Sequence, residues 1–325
     1  MMLGATACTA VAPAPPPVRE LTPAQDDSVE KPVGAISLRF AWPTEGSVQV
    51  LETVRKRGHT VEFSYTLALS PDGQQGFVIE RRDYRCTSFD GGTMDAAVED
   101  AFSAAGIGDA GTPRMRISAE GELIELLDME SRVIEPLLAR ALEAPGIPEE
   151  EKREIAESMR SPGARGLFEA PFLQLWAVWV GGWRIGEVVP GVPVARAQEA
   201  QAGSASPVKT RVTIEAKEPT IVDGRAQIRI VMDTIFDPES LTAAAFSLAS
   251  PAMTARAQAQ QREAAEKIGR LERVDHLEAL TDPATLMPIK VLRRTEMTTY
   301  DKSGASIGTQ KDQYLYVFTW PARPN

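Results

Sequence analysis

The stretch Phe172–Pro190 reads FLQLWAVWVGGWRIGEVVP, and it contains three of the chain's five tryptophans, Trp176, Trp179 and Trp183. On a helix, Phe172 and the first two tryptophans lie at positions i, i+4 and i+7, and only Gln174 interrupts an apolar circumference. Such a helix has to be enclosed. Its roughly ten apolar residues are too few to span a bilayer, so we expect β-sheet from the flanking sequence to enclose it. Gly181-Gly182 should end the helix.

The composition is that of a folded protein with one large or two smaller domains. The chain has 325 residues, of which 43% are hydrophobic and 25% are charged. Asp and Glu number 45 against 35 Lys and Arg, which gives a formal net charge of −10. This charge opposes non-specific binding to nucleic acid, so we expect no nucleic-acid partner.

The N-terminus resembles the end of a bacterial lipoprotein signal. In residues 1–8, small residues at Ala5-Thr6-Ala7 precede Cys8, the residue that becomes lipidated in such signals. This predicts a lipid anchor at Cys8 and a place in the bacterial cell envelope, membrane-anchored and facing the periplasm or the exterior. Residues 9–32 are rich in Pro and Ala without apolar periodicity, which predicts a disordered tether. A merely disordered N-terminus is the alternative.

Residues 33–320 are predicted to form one domain, followed by a tail at residues 321–325. A period-two apolar pattern predicts strands near residues 36–40, 48–54, 61–69 and 77–86, and then a hairpin at Arg114–Ser118 and Glu122–Leu127. Later strands are predicted at Val208–Lys217, Arg225–Phe236, Leu271–Thr281, Pro288–Tyr300 and Ile307–Trp320. The intervening Ala195–Pro207 is rich in small residues and is predicted to be a loop.

Two helical insertions interrupt these strands, at about residues 128–180 and 238–267. In the first, Pro136 indicates that the regular helix begins near Glu135, and a second helix begins at Pro148. In the second insertion, Asp237-Pro238 and Ser250-Pro251 are helix-start signals. A short Ala-rich helix is also predicted at Asp95–Ala105.

This order of elements resembles the LolA/LolB/RseB-like group and, more narrowly, an uncharacterised bacterial lipoprotein family with that fold. The segments that carry the resemblance are Met115–Leu127, Trp179–Pro190, the strands on either side of Gly224, and Leu280–Tyr300. The resemblance implies an α+β fold: a curved, incomplete antiparallel β-barrel of about eleven strands, with helices packed on its concave face.

The aromatic stretch has two interpretations. The first is a hydrophobic core. The second is an apolar cavity able to take an acyl chain or a lipidated peptide. The second interpretation makes four residues candidate ligand contacts: Phe172, Trp176, Trp179 and Trp183.

The chain offers little material for catalysis or cofactor binding. Gly106–Gly111 is a literal GxGxxG, but an Ala-rich segment precedes it and Thr112-Pro113 follows, which favours a loop over a dinucleotide site. His59 is interpreted as a solvated turn residue, His276 as a strand residue satisfied by its neighbours, and Cys86 as a buried or idle thiol. We therefore predict no catalytic residue, no metal site and no cofactor.

These observations favour a non-enzymatic envelope lipoprotein that binds a hydrophobic ligand or another envelope protein. An envelope scaffold or sensor with a filled core and no small ligand is the alternative, and a hydrolase-type enzyme is the third reading. An empty cavity beside Trp176 would favour the first reading. A filled interior with an exposed apolar patch would favour the second, and carboxylates converging on His276 would favour the third.

Overall fold

The computed structural model describes residues 34–73, 76–94, 111–143, 148–160, 162–184, 186–200, 208–222, 224–247, 263 and 265–321. The strands are β1 Ile36–Ser37, β2 Gly46–Lys56, β3 His59–Asp72, β4 Gly76–Phe89, β5 Gly92–Thr93, β6 Arg114–Ile117, β7 Leu123–Leu127, β8 Glu187–Val188, β9 Val194–Ala200, β10 Val208–Ala216, β11 Thr220–Val222, β12 Arg225–Phe236, β13 Ile268–Thr281, β14 Pro288–Asp301 and β15 Ser306–Thr319. The α-helices are α1 Glu135–Glu143, α2 Glu149–Met159, α3 Pro162–Trp176 and α4 Pro238–Ser247. Single π-helical turns, Glu130–Ile134 and Ala177–Gly181, precede α1 and follow α3.

Most strands belong to one antiparallel sheet of thirteen strands. Its path runs β7-β6-β4-β3-β2-β15-β14-β13-β12-β10-β9, with β5 beside β4 and β11 beside β12. Within the described residues the two end strands, β7 and β9, do not pair, so the sheet is open. The predicted α+β class and antiparallel sheet are confirmed, and the curved, eleven-stranded incomplete barrel stays a prediction.

The two faces of this sheet have different environments because side chains alternate along each strand. On β2, Val48 and Val50 are buried while Leu51 is 43% exposed. We call the face of Val48 the inner face and the opposite one the outer face. The helix α3 and its π-helical turn pack on the inner face, where the Trp179 ring centroid lies 6.5 Å from that of Tyr65 on β3.

The aromatic helix forms as predicted and ends at the predicted glycines. It is not enclosed on all sides, however: Leu173 is 48% exposed and Gln174 is exposed. The helix contacts the sheet with the side that carries Trp176 and Trp179, and a helix on one face of a sheet keeps an outward side. The expectation that the helix is enclosed on all sides was therefore wrong for the helical turn that contains Leu173 and Gln174.

The strand predicted at residues 36–40 is reduced to β1, which pairs with β8 and lies outside the main sheet. The backbone N–H of Arg39 donates to the carbonyl of Pro283 at 3.2 Å, and that of Ala41 donates to Thr285 at 3.0 Å. Leu38 is still buried. The predicted alternation of side chains was correct. Carbonyl groups in a loop, and not those of a neighbouring strand, accept the hydrogen bonds from Arg39 and Ala41.

The loop predicted at Ala195–Pro207 was wrong in its first half. Residues 194–200 form β9, which pairs with β10 along its whole length. Small residues have a weak preference for strands, but the exposed hydrogen-bonding edge of β10 outweighs that preference. Residues 201–207 lie outside the described residues.

The remaining helical predictions are mostly confirmed. The first insertion contains α1, α2 and α3, with α1 beginning at Glu135 and α2 directly after Pro148, and α4 begins at Pro238. Of the helix predicted from Ser250, residues 265–267 are helical and most of the rest lies outside the described residues. Three further predicted segments lie outside the described residues: the Asp95–Ala105 helix, residues 106–110 of the GxGxxG segment, and residues 1–33.

Candidate functional site

The three tryptophans of the aromatic stretch are core residues. Trp176 is 3% exposed, and Trp179 and Trp183 are 0% exposed. The Trp176 indole Nε1 donates to the carbonyl of Gly121 at 3.2 Å, and Trp183 Nε1 donates to the carbonyl of Val178 at 2.9 Å. These bonds satisfy two of the buried indoles, as a stable core requires.

Other aromatic rings fill the space around these tryptophans. The Trp176 ring lies 5.4 Å from Trp42 between centroids, and the Trp179 ring lies 6.2 Å from Tyr316 and 6.0 Å from Phe318. All of these rings belong to the hydrophobic core. Phe172, the fourth candidate, is only partly buried and packs against this core. The cavities described below are lined by other side chains.

A cavity of about 210 Å³ lies between α3 and the inner face of β13, β14 and β15. Gln174 contributes from the helix, and the sheet contributes Arg273, Arg293, Thr295, Met297, Gln310, Asp312 and Tyr314. Met297 and the ring of Tyr314 are the apolar part of this lining. The cavity thus combines charged groups with an apolar border.

An ion-pair cluster underlies this cavity. Arg273 donates from Nε and Nη2 to the two oxygens of Asp275 at 2.8 Å each, and Arg293 Nη2 donates to Asp275 Oδ2 at 2.6 Å. Burial opposes the ionisation of Asp275, but the two guanidinium groups outweigh burial and lower its pKa. Arg293 itself is 9% exposed. A buried carboxylate therefore holds both arginines in fixed positions.

The other polar groups of the cavity are only partly satisfied. The side-chain oxygen of Gln174 accepts from Arg293 Nη2 at 2.8 Å once its amide is oriented to suit the arginine. Asp312 accepts from Gln310 Nε2 at 3.0 and 3.1 Å, and the Lys56 ammonium lies 3.5 Å from the same carboxylate. The Thr295 hydroxyl is buried and has no hydrogen-bond partner among the described residues.

This cluster was not predicted from the sequence. A usable signal was present: Arg273 and Asp275 are two residues apart on one predicted strand, as are Arg293 and Thr295 on the next, so each pair shares a face. Charged residues on the otherwise apolar inner face interrupt the expected pattern. What the sequence did not contain was the register, which places Arg293 opposite Leu277 and Thr295 opposite Asp275.

A larger groove, of about 820 Å³, involves β13, β14 and β15 and is lined chiefly by residues of their outer face. His276 lines it; its Nδ1 lies 2.7 Å from Asp233 Oδ1 and its Nε2 lies 3.2 Å from Glu278 Oε1. Burial lowers the pKa of this imidazole, but the two carboxylates outweigh burial and raise it. The prediction of a strand histidine satisfied by its neighbours is confirmed. Asp233 and Glu278 are also the carboxylates that the hydrolase-type reading requires beside His276, and that reading stays a prediction.

The remaining candidates have local roles or lie outside the described residues. His59 is exposed at the β2–β3 turn, with Nδ1 2.8 Å from Asp90 Oδ2, as expected for a solvated turn residue. Cys86 is buried at 6% exposure, as predicted. Cys8 is outside the described residues. Among those that are described, no group of three His, Cys, Asp or Glu side chains is arranged to hold a metal ion.

No helix within the described ranges is both long enough and apolar enough to cross a bilayer.

Comparisons with known proteins give little guidance. No protein-family model matches the chain, and no curated protein matches it in sequence. Among solved structures, it is similar to lipovitellin, from a study of lipid–protein interactions in that protein, with 8% sequence identity and a TM-score of 0.36. The match covers 90% of this chain but 26% of the lipovitellin chain. A likeness this distant carries no argument about function.

Proposed function

We propose that this chain is a non-enzymatic binding protein of the bacterial cell envelope, anchored by lipid at Cys8, which binds a hydrophobic ligand such as an acyl chain or a lipidated peptide. The observation that carries the proposal is the cavity between α3 and the inner face, bordered by Met297 and Tyr314. Apolar surface beside a cavity is the usual setting for such a ligand.

The proposal places the ligand on a different side of α3 from the tryptophans. A ligand between Trp176 and Trp179 would have to displace core aromatics that each contribute roughly 1.5–3 kcal/mol when buried. A ligand in the cavity beside Gln174 displaces solvent and no core aromatic residue. At about 210 Å³, the cavity is smaller than the roughly 300 Å³ of a small ligand site, so it suits one end of a longer ligand.

The envelope location and the lipid anchor rest on the sequence of residues 1–8 and on the resemblance to the LolA/LolB/RseB-like group. Both stay predictions. The tether proposed for residues 9–32 would let an anchored domain reach a ligand at or near the membrane surface.

The proposal is tested by titrating the full chain with N-phenyl-1-naphthylamine, an uncharged probe whose emission rises in apolar surroundings. We expect saturable binding that Met297→Ser weakens, because that substitution removes apolar surface that lines the cavity. Leu51→Ser is the control, since it also removes an apolar side chain, but one that is 43% exposed on the outer face. Absence of saturable binding, or equal effects of the two variants, would contradict the proposal.

A second candidate function is an envelope scaffold or sensor with a filled core, which binds another envelope protein. Two observations favour it. The interior around Trp179 is filled, and the outer groove has exposed apolar side chains. Val274, which lines the groove, is 44% exposed, and its cross-strand partner Ile235 is 50% exposed. Such paired apolar residues among charges resemble a protein-contact surface. A failure of the dye to bind would leave this candidate as the better account.

A further inference from the structure

The charges around the inner-face cavity do not cancel. Arg273, Arg293 and Lys56 supply three positive charges, while Asp275 and Asp312 supply two negative charges. The cluster therefore has a surplus of one positive charge. Lys56 does not line the cavity and is 48% exposed, so water screens its charge. The lining itself holds two arginines, Arg273 and Arg293, against one carboxylate, Asp312.

The unused hydrogen-bonding capacity of the cavity includes two donors. Arg273 engages Asp275 through Nε and Nη2, which leaves Nη1 outside those two bonds. The buried Thr295 hydroxyl lacks a partner among the described residues. A buried hydroxyl in that condition costs roughly 1–3 kcal/mol, and an incoming acceptor would recover this cost.

The two carboxylates of this region are already occupied. Asp275 receives three hydrogen bonds from arginine, and Asp312 is paired with Gln310 and Lys56. A cationic ligand would have to compete with these groups. A ligand with a single negative charge would instead balance the surplus and accept from the remaining donors.

We propose that the cavity binds a carboxylate, with the carboxylate oxygens accepting from Arg273, Arg293 and Thr295 and the apolar part of the ligand lying against Met297 and Tyr314. This inference rests on the proposed function and adds the chemical class of the head group. Arginine forks suit planar carboxylates, and Asp275 holds both forks in place before the ligand arrives.

The test compares octanoate with 1-octanol, which has the same chain length without the charge, as competitors of N-phenyl-1-naphthylamine on the full chain. We expect octanoate to bind at least about tenfold more tightly than 1-octanol. Thr295→Val removes the hydroxyl with little change of shape. It should weaken octanoate by about tenfold and leave 1-octanol nearly unchanged.

Thr298→Val is the matched control, because Thr298 is on the same strand but lines the outer groove. Equal affinities for octanoate and 1-octanol, or equal effects of the two valine variants, would overturn the carboxylate assignment while dye binding keeps the proposed function. If neither compound displaces the dye, the carboxylate assignment also fails. If the dye itself does not bind, the proposed function fails, and the carboxylate assignment that rests on it fails as well.

Discussion

At the scale of single residues, Glu52 is a carboxyl group buried in the sheet. It lies on the inner face of β2, 9% exposed, opposite Tyr316 on β15 and Phe63 on β3. Burial raises the pKa of its carboxyl group, and the positive charge of Arg81 only partly opposes this. The folded protein therefore binds the Glu52 proton more tightly than the unfolded chain does.

This predicts a pH dependence with a definite sign. Because the folded pKa lies above the ordinary 4.5, the Glu52 contribution to the free energy of unfolding declines as pH rises above 4.5 and through the folded pKa. Glu52→Gln removes that titration. The stability of the variant relative to the natural chain should therefore increase between pH 4.5 and pH 8, as measured by urea unfolding at several pH values.

Glu45→Gln is the control for this measurement, because Glu45 is exposed just before β2. Its stability difference from the natural chain should vary much less with pH. Parallel stability profiles for Glu52→Gln and the natural chain would show that the carboxyl group is not desolvated in solution.

At the scale of elements, the end of α3 depends on a close backbone contact. The N–H of Gly182 donates to the carbonyl of Ala177 at 2.8 Å, which closes the π-helical turn. A Cβ atom at position 182 would lie 2.7 Å from that carbonyl oxygen and 3.6 Å from Met232 on β12. The turn carries Val178, Trp179 and Val180 into the core, so its geometry positions buried side chains.

Gly182→Ala should therefore lower the free energy of unfolding by about 1–3 kcal/mol, because the added methyl group forces the turn away from the sheet. Gly186→Ala is the matched control: no atom lies within 4 Å of a Cβ at that position. Chemical denaturation of the two variants provides the measurement. Equal stabilities would mean that the π-helical turn adapts without moving its tryptophan.

At the scale of the whole molecule, the N-terminal and C-terminal parts of the domain meet in the sheet. β15 pairs with β2 from Gln313↔Arg55 to Thr319↔Gln49, so the last strand completes the inner face beside the first long one. The inner-face cavity needs the same long-range assembly, since its lining comes from α3 and three strands. Any ligand there is expected to stabilise the whole domain by binding only the folded state.

The predicted anchor is also a property of the whole chain. Expressed in bacteria behind a complete lipoprotein signal, the Cys8→Ser variant should move from the membrane fraction to the soluble fraction, because the lipidated thiol is lost. Cell fractionation measures this. Cys86→Ser is the control, since Cys86 is buried in the domain and should not affect membrane association. Unchanged membrane association of Cys8→Ser would rule out lipidation at that cysteine.

The sequence by itself determined the elements whose signals are local. The apolar helix before Gly181, the helix start at Pro148 and the long strands β13 to β15 were predicted from the spacing of apolar residues and from turn residues. These patterns are local because side-chain periodicity depends only on the backbone geometry of the element itself.

Only the tertiary structure decided which surfaces meet. It turned Trp179 into the core and left Leu173 exposed, made an edge strand of Val194–Ala200, and paired Ile36 with Val188. It also assembled the cavity by bringing Gln174 and Arg293 together across more than a hundred positions of sequence. Strand register and helix orientation follow from the packing of distant residues, and no local pattern in the chain records them.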